Sequence, residues 1–310
     1  MNTTLHSKMK VSLQVVLLTS LLSGVSLQSA AFDFKGAIKD AAEKQIGIKN
    51  EPTTSENKNS ATVPPIAQET PPAFNWKNPS REEEIALGRE ITGNLLGAAP
   101  LVKDEALQKY VNSVGRWVAS QSERPDLPWR FGVIDSDDLN AFAAPGGYVV
   151  MTKGLYKKLT NEAQLAGVLG HEIGHVVKKH QLKVLQKQQL LNLGASFLSD
   201  QIAKDNVLAT KVIGTGAEIS ARSLDKGAEY EADRLGLSYA TRAGYEPFGL
   251  TDVLQTLGQT GKNDSSVALL FKTHPHPDER LTTLANAVGN KLDNIQNGKT
   301  LENRFYPLKN

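Results

Sequence analysis

The 310-residue chain contains no cysteine. That absence excludes disulfides, iron–sulfur clusters, thiol nucleophiles and thiolate metal sites together, and with them the lipid-bearing cysteine of a bacterial lipoprotein. An excess of one charge is missing too: 35 Lys and Arg face 33 Asp and Glu, a formal net of +2, so no large field gathers nucleic acid and no nucleic-acid partner is expected. Histidine is scarce, with six residues in the whole chain. Long apolar runs are confined to the start, where Val11 to Leu27 follows Lys8 and Lys10 and precedes Ser29, Ala30 and Ala31. This is the layout of a secretory signal peptide over residues 1–31. Ser12, Gln14, Thr19 and Ser20 interrupt the run, which barely reaches the length needed to cross ~30 Å of hydrocarbon. A cleaved export signal is therefore expected ahead of a permanent N-terminal anchor.

From residue 32 to 79 the sequence is rich in Pro, Thr, Asn, Glu and Lys and short of apolar periodicity, which reads as a flexible tether. Within it Ile38, Ala41, Ala42, Gln45 and Ile46 stand near helical spacing. They suit either a marginal solvated helix or an amphipathic one making a peripheral membrane contact. A domain is expected over residues 80–292, followed by an irregular tail over 293–310. Ser80 before Arg81 to Glu84 offers a helix cap with an acidic first turn, and a second helical run covers Asp104 to Ser120. Pro125 and Pro128 interrupt the chain before a strand candidate, Trp129 to Ile134. Ala141 to Thr152 then reads as two extended pieces joined by a Pro-Gly-Gly turn, one of them able to present an open edge. Further helices are expected from Asn161, over Leu182–Ser199, Asn206–Ile219, Lys226–Ala243, Pro247–Gly258 and Asp278–Ala287. No fixed-period repeat is evident.

Against that background one pentapeptide carries chemistry, His171-Glu172-Ile173-Gly174-His175. It falls within the helix capped by Asn161, where residues four apart share one face, so both imidazoles can reach one ion. Two neutral histidines suit zinc, and a catalytic site needs a third protein ligand with the fourth position left to water. Glu172 then stands beside that water as general base. Glu229-Tyr230-Glu231-Ala232-Asp233 is the best source of the third ligand, because Glu229 and Asp233 share a face: one carboxylate can bind metal while the other steadies a histidine. Glu231 is the competing ligand, on another face. Taken alone, this acidic helix would be a solvated one paired with Arg222, Lys226 or Arg234. His274 lies in Thr273-His274-Pro275, where prolines hold the chain extended. His6, His180 and His276 are assigned no role, and the lysines around His180 disfavour metal there.

These pieces in this order resemble the zinc metallopeptidases related to HtpX and the CAAX prenyl protease, particularly exported bacterial members such as the YggG-like proteins. The resemblance runs from about Arg81 to Ala287. It rests on Asn140-Ala-Phe-Ala-Ala-Pro-Gly-Gly, His171 to His175, Glu229 to Asp233 with Gly236, and Thr273-His274-Pro275 with Arg280. It implies a gluzincin fold, Glu229 as third ligand, Asp233 behind a histidine, His274 near the active site, and membrane or envelope proteins as substrates. His274 would then either stabilise the oxyanion of the tetrahedral intermediate or occupy the open metal position in a self-blocked state.

The expectation is thus an α+β, predominantly α-helical peptidase domain with a small sheet edging the active-site cleft. It would hold one zinc ion through His171, His175 and Glu229 and use Glu172 and His274 in catalysis. Extended polypeptide would lie along an edge strand at Ala143, Gly146 and Gly147. Taken with the export signal, the resemblance implies a periplasmic endopeptidase acting on misfolded or membrane-associated envelope proteins, with unfolded or outer-membrane proteins as its polypeptide substrates. An envelope chaperone or scaffold that holds proteins through Leu190 to Ile219 is the alternative, and a structural zinc domain a third; four protein ligands would favour the last.

Overall fold

The computed structural model describes residues 74–196, 224–261, 264–292, 295 and 297–308. The expected signal, the tether up to residue 73 and the helix expected over Asn206 to Ile219 lie outside the described residues. Among those described, no helix is long and apolar enough to cross a membrane.

The chain opens with α1 (Arg81–Ala98), started by a reciprocal cap: Glu83 N donates to Ser80 Oγ at 3.1 Å and Ser80 N to Glu83 Oε2 at 2.7 Å. These bonds satisfy backbone donors that the first turn would leave unpaired. Asp104 caps α2 (Glu105–Ala119) in the simpler way, accepting from Leu107 N. Helical spacing places Leu107, Val111, Val114 and Val118 on one face, all buried. Each such side chain removed from water contributes about 1.5–3 kcal/mol before entropy is counted.

Three strands follow, β1 (Arg130–Ile134), β2 (Ala141–Ala144) and β3 (Tyr148–Thr152). The last two form the expected hairpin, antiparallel with Phe142 opposite Val150, and Gly146 (φ 74°) and Gly147 (φ 98°) take the left-handed turn conformations that L side chains resist. β1 joins in parallel on the far side of β3, giving the order β1-β3-β2. Strand alternation sends Phe131, Val133, Ala141, Ala143, Val149 and Met151 to the larger core with α2 and the helices beyond. Ile134, Phe142, Ala144 and Val150 meet Leu87, Ile91, Leu95, Leu182 and Leu185 on the other face. A sheet covered on both faces keeps no polar face, which is why its strands read as nearly continuous apolar runs.

The sheet's two edges differ. Along β1, Gln108 accepts from Val133 N and donates to Val133 O, both at 2.9 Å, and Asn112 accepts from Phe131 N at 3.0 Å. These α2 side chains close that edge. On β2, Asn140 O accepts from Thr152 N at 2.9 Å, so antiparallel alternation commits Phe142 and Ala144 to β3 and turns the backbone groups of Ala141 and Ala143 outward. They meet no backbone partner among the described residues.

A short helix, α3 (Lys153–Lys158), leads to α4 (Glu162–Val177), whose N-cap Asn161 accepts from Gln164 N at 2.9 Å while Gln164 Oε1 accepts from Thr160 N at 2.8 Å. Then come α5 (His180–Ser196), α6 (Lys226–Arg242), α7 (Gly249–Gly258), α8 (Ala268–Thr273) and α9 (Pro277–Val288). Neither α3 nor α8 is legible in the sequence, since six residues span too few turns to show a period. Apart from its last residue, Val177, α4 is buried along its whole length, with α6 as its closest neighbour. Their approach depends on glycine. A Cβ on Gly236 would lie 2.5 Å from His171 N, and one on Gly170 would lie 2.7 Å from Gly236 O. Gly236→Ala must therefore push α6 off α4. A loss of about 1–3 kcal/mol in a denaturant titration is expected, together with weaker metal binding, because the two helices carry the site between them.

The C-terminal segment packs back on the same domain. Glu162, fully buried at the start of α4, accepts from Tyr110 and Tyr245 hydroxyls and is paired with Arg304. Phe305 stacks on Tyr156 with ring centroids 5.2 Å apart.

Candidate metal centre and active site

On α4, one helical repeat separates His171 and His175, and their Nε2 atoms stand 3.0 Å apart. Asp225 caps α6 by accepting from Ala228 N, and one turn in, Glu229 and Asp233 project side by side toward α4, both buried. Glu229 meets the two rings, with Oε2 3.7 Å from His171 Nε2 and Oε1 3.5 Å from His175 Nε2. Asp233 lies behind, Oδ1 2.9 Å from His171 Nδ1. A carboxylate only accepts, so His171 carries its proton on Nδ1 and presents a lone pair at Nε2. His274, at the end of α8, is also buried and donates from Nδ1 to Glu229 Oε2 at 2.7 Å. The donor atoms of His171, His175, Glu229 and His274 all fall within 4.8 Å of one another.

Electrostatics agree with this geometry. Burial, and then the neighbouring His171, push the pKa of His175 well below that of an ordinary imidazole, leaving it neutral. Burial opposes the Glu229 charge, yet the charge and hydrogen bond of His274, followed by His175 and His171, outweigh it and hold the carboxyl below the usual range. Asp233 is buried as well, and Arg280 beside it more than offsets that cost: Nε and Nη2 reach its two oxygens at 2.9 and 2.5 Å. Arg280 Nη2 also stands 3.2 Å from His171 Nδ1. Burial lowers the pKa of His274, but the charge and hydrogen bond of Glu229 outweigh it and raise the pKa above that of an ordinary imidazole, so an ion taken up here would displace a proton from His274 before that ring could ligate it.

Does this set fit a divalent cation? Glu229 Oε1 is buried without any hydrogen-bond partner, a costly state for a charged oxygen unless something cationic satisfies it. That oxygen stands 3.5 Å from His175 Nε2. Two imidazoles and a carboxylate match zinc in donor type, so the residues fit the ion.

Glu172 is one residue along α4 and almost fully buried; its carboxyl makes no hydrogen bond among the described residues. Burial raises its pKa, and His171 and His274 only partly offset this. It lines a cleft with His175, His274, Phe142, Ala143 and Gln181, so the open edge of β2 borders the site. Of the three residues expected along substrate, Ala143 is on that edge, whereas Gly146 and Gly147 form the hairpin turn and lie off the strand.

Glu231, weighed as a competing ligand, points away from the cluster and meets Lys178 and His180. His180, given no role from the sequence, needs correcting: it is buried, with Nδ1 2.9 Å from His175 Nδ1. Of the lysines that disfavoured it, Lys179 turns away to Glu84, and Lys178 shares with His180 the Glu231 carboxylate that neutralises it. His276 is half-buried and caps α9.

The comparisons with known proteins agree with the geometry. The model of peptidase family M48 matches residues 105–288. The chain belongs to peptidase family M48. Its M48 domain is also similar to the Beta-barrel assembly-enhancing protease of Yersinia pestis, 31% identical over 214 residues, 67% of this chain and 44% of that protein. The protein of the same name from Escherichia coli (strain K12) is 31% identical over 211 residues, 66% and 43% of the two chains. The Mitochondrial metalloendopeptidase OMA1 of Arabidopsis thaliana is 28% identical over 188 residues, 60% and 37%. The chain spans less than half the length of these relatives. M48 is a family of metallopeptidases, and the mostly helical α+β domain brings together His171, His175, Glu229 and His274, a set that could hold a divalent metal ion.

Proposed function

We propose that the chain is an exported, zinc-dependent endopeptidase of envelope proteins, with Glu172 as general base. The observation that carries this is the pairing of a metal-ready donor set with an uncommitted buried carboxyl in one cleft. His171, His175 and Glu229 would hold the ion, which when bound polarises the scissile carbonyl and acidifies a water. Glu172 takes the proton of that water and returns it to the leaving amine. Its raised pKa favours the second half of that shuttle, since the protonated acid is not strongly disfavoured in this site.

Substrate binding follows from the open edge. An extended polypeptide adding to β2 would exchange backbone hydrogen bonds with Ala143, which folded proteins cannot offer unless locally unfolded. Gln181 Oε1, buried on this cleft without a partner, is available to a substrate N–H. On the other side of Glu172, Val168, Leu250, Val253, Leu254 and Leu270 line a small apolar recess that would favour an apolar over a polar substrate side chain. Extended, apolar sequence is what unfolded proteins expose. The relatives named for assembly of β-barrels make outer-membrane proteins the substrate class to test first, with the periplasm as compartment.

His274 makes the donor set four, and four protein ligands alone would suit a structural site. A structural site, however, has no use for the free carboxyl of Glu172 or for a cleft on an open strand edge. We therefore assign His274 the self-blocking role: it closes the fourth position at rest and withdraws for substrate. His274→Ala is expected to raise turnover of an unfolded protein severalfold; an oxyanion role would instead cost about a hundredfold, and unchanged turnover would remove both.

The reading is tested by incubating the full chain with an unfolded outer-membrane protein. Cleavage that stops with chelator and returns with zinc is expected. Stoichiometric zinc with binding but no cleavage would instead establish the holding role of a chaperone.

A further inference from the structure

His171 and His175 are braced differently, and the difference points to a residue that the metal centre would otherwise leave unused. His171 Nδ1 is held directly by Asp233. His175 Nδ1 faces no carboxylate; it faces His180 Nδ1 at 2.9 Å, and His180 Nε2 in turn stands 3.2 Å from Glu231 Oε2. We propose that His180, backed by Glu231, is the positioning residue that fixes the tautomer and orientation of His175 for metal binding. The proposal rests on the metal-centre reading above.

The hydrogen-bond inventory decides the direction of the chain. The two Nε2 atoms of His171 and His175 can both present lone pairs because they converge on the metal position, but the two Nδ1 atoms 2.9 Å apart lie outside it and need one donor and one acceptor. Glu231 only accepts, and Lys178 Nζ, 3.2 Å from its other oxygen, stabilises the charge. His180 therefore carries its proton on Nε2 and offers a lone pair at Nδ1. His175 donates its Nδ1 proton to that lone pair, which leaves its Nε2 unprotonated and facing His171 Nε2 and Glu229. The opposite order would put a proton on His175 Nε2 and deny that nitrogen to the ion. One helix, α6, thus supplies the ligand Glu229 and both outer carboxylates, Asp233 directly and Glu231 through an interposed imidazole.

The backbone is built for this contact. Were α4 to continue past Val177, His180 would sit about 140° around the helix from His175. Instead α4 ends, Lys179 adopts a left-handed φ of 57°, and α5 begins at His180. A lysine in that conformation is uncommon, and its ammonium is anchored on buried Glu84 at 2.5 Å. The reversal folds His180 back onto His175, with ring centroids 5.1 Å apart.

The test measures zinc affinity of the full chain by competition with a chromophoric chelator. It is paired with the visible absorption spectrum of the cobalt-substituted protein and the melting temperature of the metal-free form. His180→Ala is expected to weaken zinc about 10- to 100-fold, the range for losing a partner behind a ligand, and to alter the cobalt spectrum. His180→Asn places an amide oxygen near the lost Nδ1 and should recover most of the affinity. Glu231→Ala should weaken zinc less, and combining it with His180→Ala should add nothing, because the two act in one chain. Affinity unchanged in His180→Ala, or as weak in His180→Asn as in His180→Ala, overturns the proposal. If His180→Ala fails to fold, Glu231→Ala decides: weaker binding supports it and unchanged binding overturns it. A wild-type chain that binds no zinc would sink the metal centre itself, an outcome distinct from failure of the relay.

Discussion

Glu172→Gln is expected to keep zinc at the wild-type stoichiometry while hydrolysis of an unfolded protein falls by about a hundred- to ten-thousandfold, the contribution of a placed general base. The prediction separates cleanly because Glu172 is not among the converging donors and makes no hydrogen bond that its amide would lose. A neutral amide of the same shape also removes the burial cost of a carboxylate, so the variant should melt no lower than wild type. Parallel metal analysis and a cleavage assay check both halves. Loss of zinc together with activity would mean that Glu172 is a ligand, and undiminished cleavage would mean that another group takes the proton.

Removing Glu229 should do the opposite, abolishing metal binding and cleavage together. Glu229 meets His171 and His274 through Oε2 and His175 through Oε1, the oxygen left without a hydrogen-bond partner. In Glu229→Ala the loss of zinc affinity should exceed the 10- to 100-fold typical of a residue behind a ligand. His274 and Arg280 would also lose their nearby negative charge, Arg280 Nη1 lying 4.0 Å from Glu229 Oε2, so the metal-free protein should melt lower than wild type. Chelator competition and thermal melting read the two effects separately. Glu231→Ala on the same helix is the control: it should lose far less zinc than Glu229→Ala.

Residues close in sequence explain most of what could be read in advance. The helix holding His171 and His175 announces itself by a cap, a stripe and a spacing, all within seventeen residues, and Glu229 with Asp233 repeats the same four-residue spacing. Those are local rules. What could not be read depends on the chain turning back on itself. His180 lies five residues from His175 and looks misplaced for as long as α4 is imagined to run on; only the left-handed Lys179 brings it round. The lysines flanking it disfavoured metal there, yet Lys179 is drawn off to Glu84 and Lys178 is paired with Glu231, the carboxylate that His180 itself meets. Arg280 was visible as part of a motif but not as the partner of Asp233, a contact 47 residues away. Gly146 and Gly147 were legible as a turn, and assigning them also to the substrate edge overlooked that a residue with positive φ leaves the strand. The closed edge of β1 had no sequence signal, because the side chains that close it, Gln108 and Asn112, belong to a helix and read there as ordinary polar positions.

One measurement bears most directly on the whole account: anomalous X-ray scattering at the zinc edge from crystals of the purified chain. A single peak is expected between α4 and α6, at ~2.0–2.2 Å from Nε2 of His171, Nε2 of His175 and a carboxylate oxygen of Glu229. A zinc-loaded protein whose anomalous peak lies away from these three side chains, or shows none there, would contradict it.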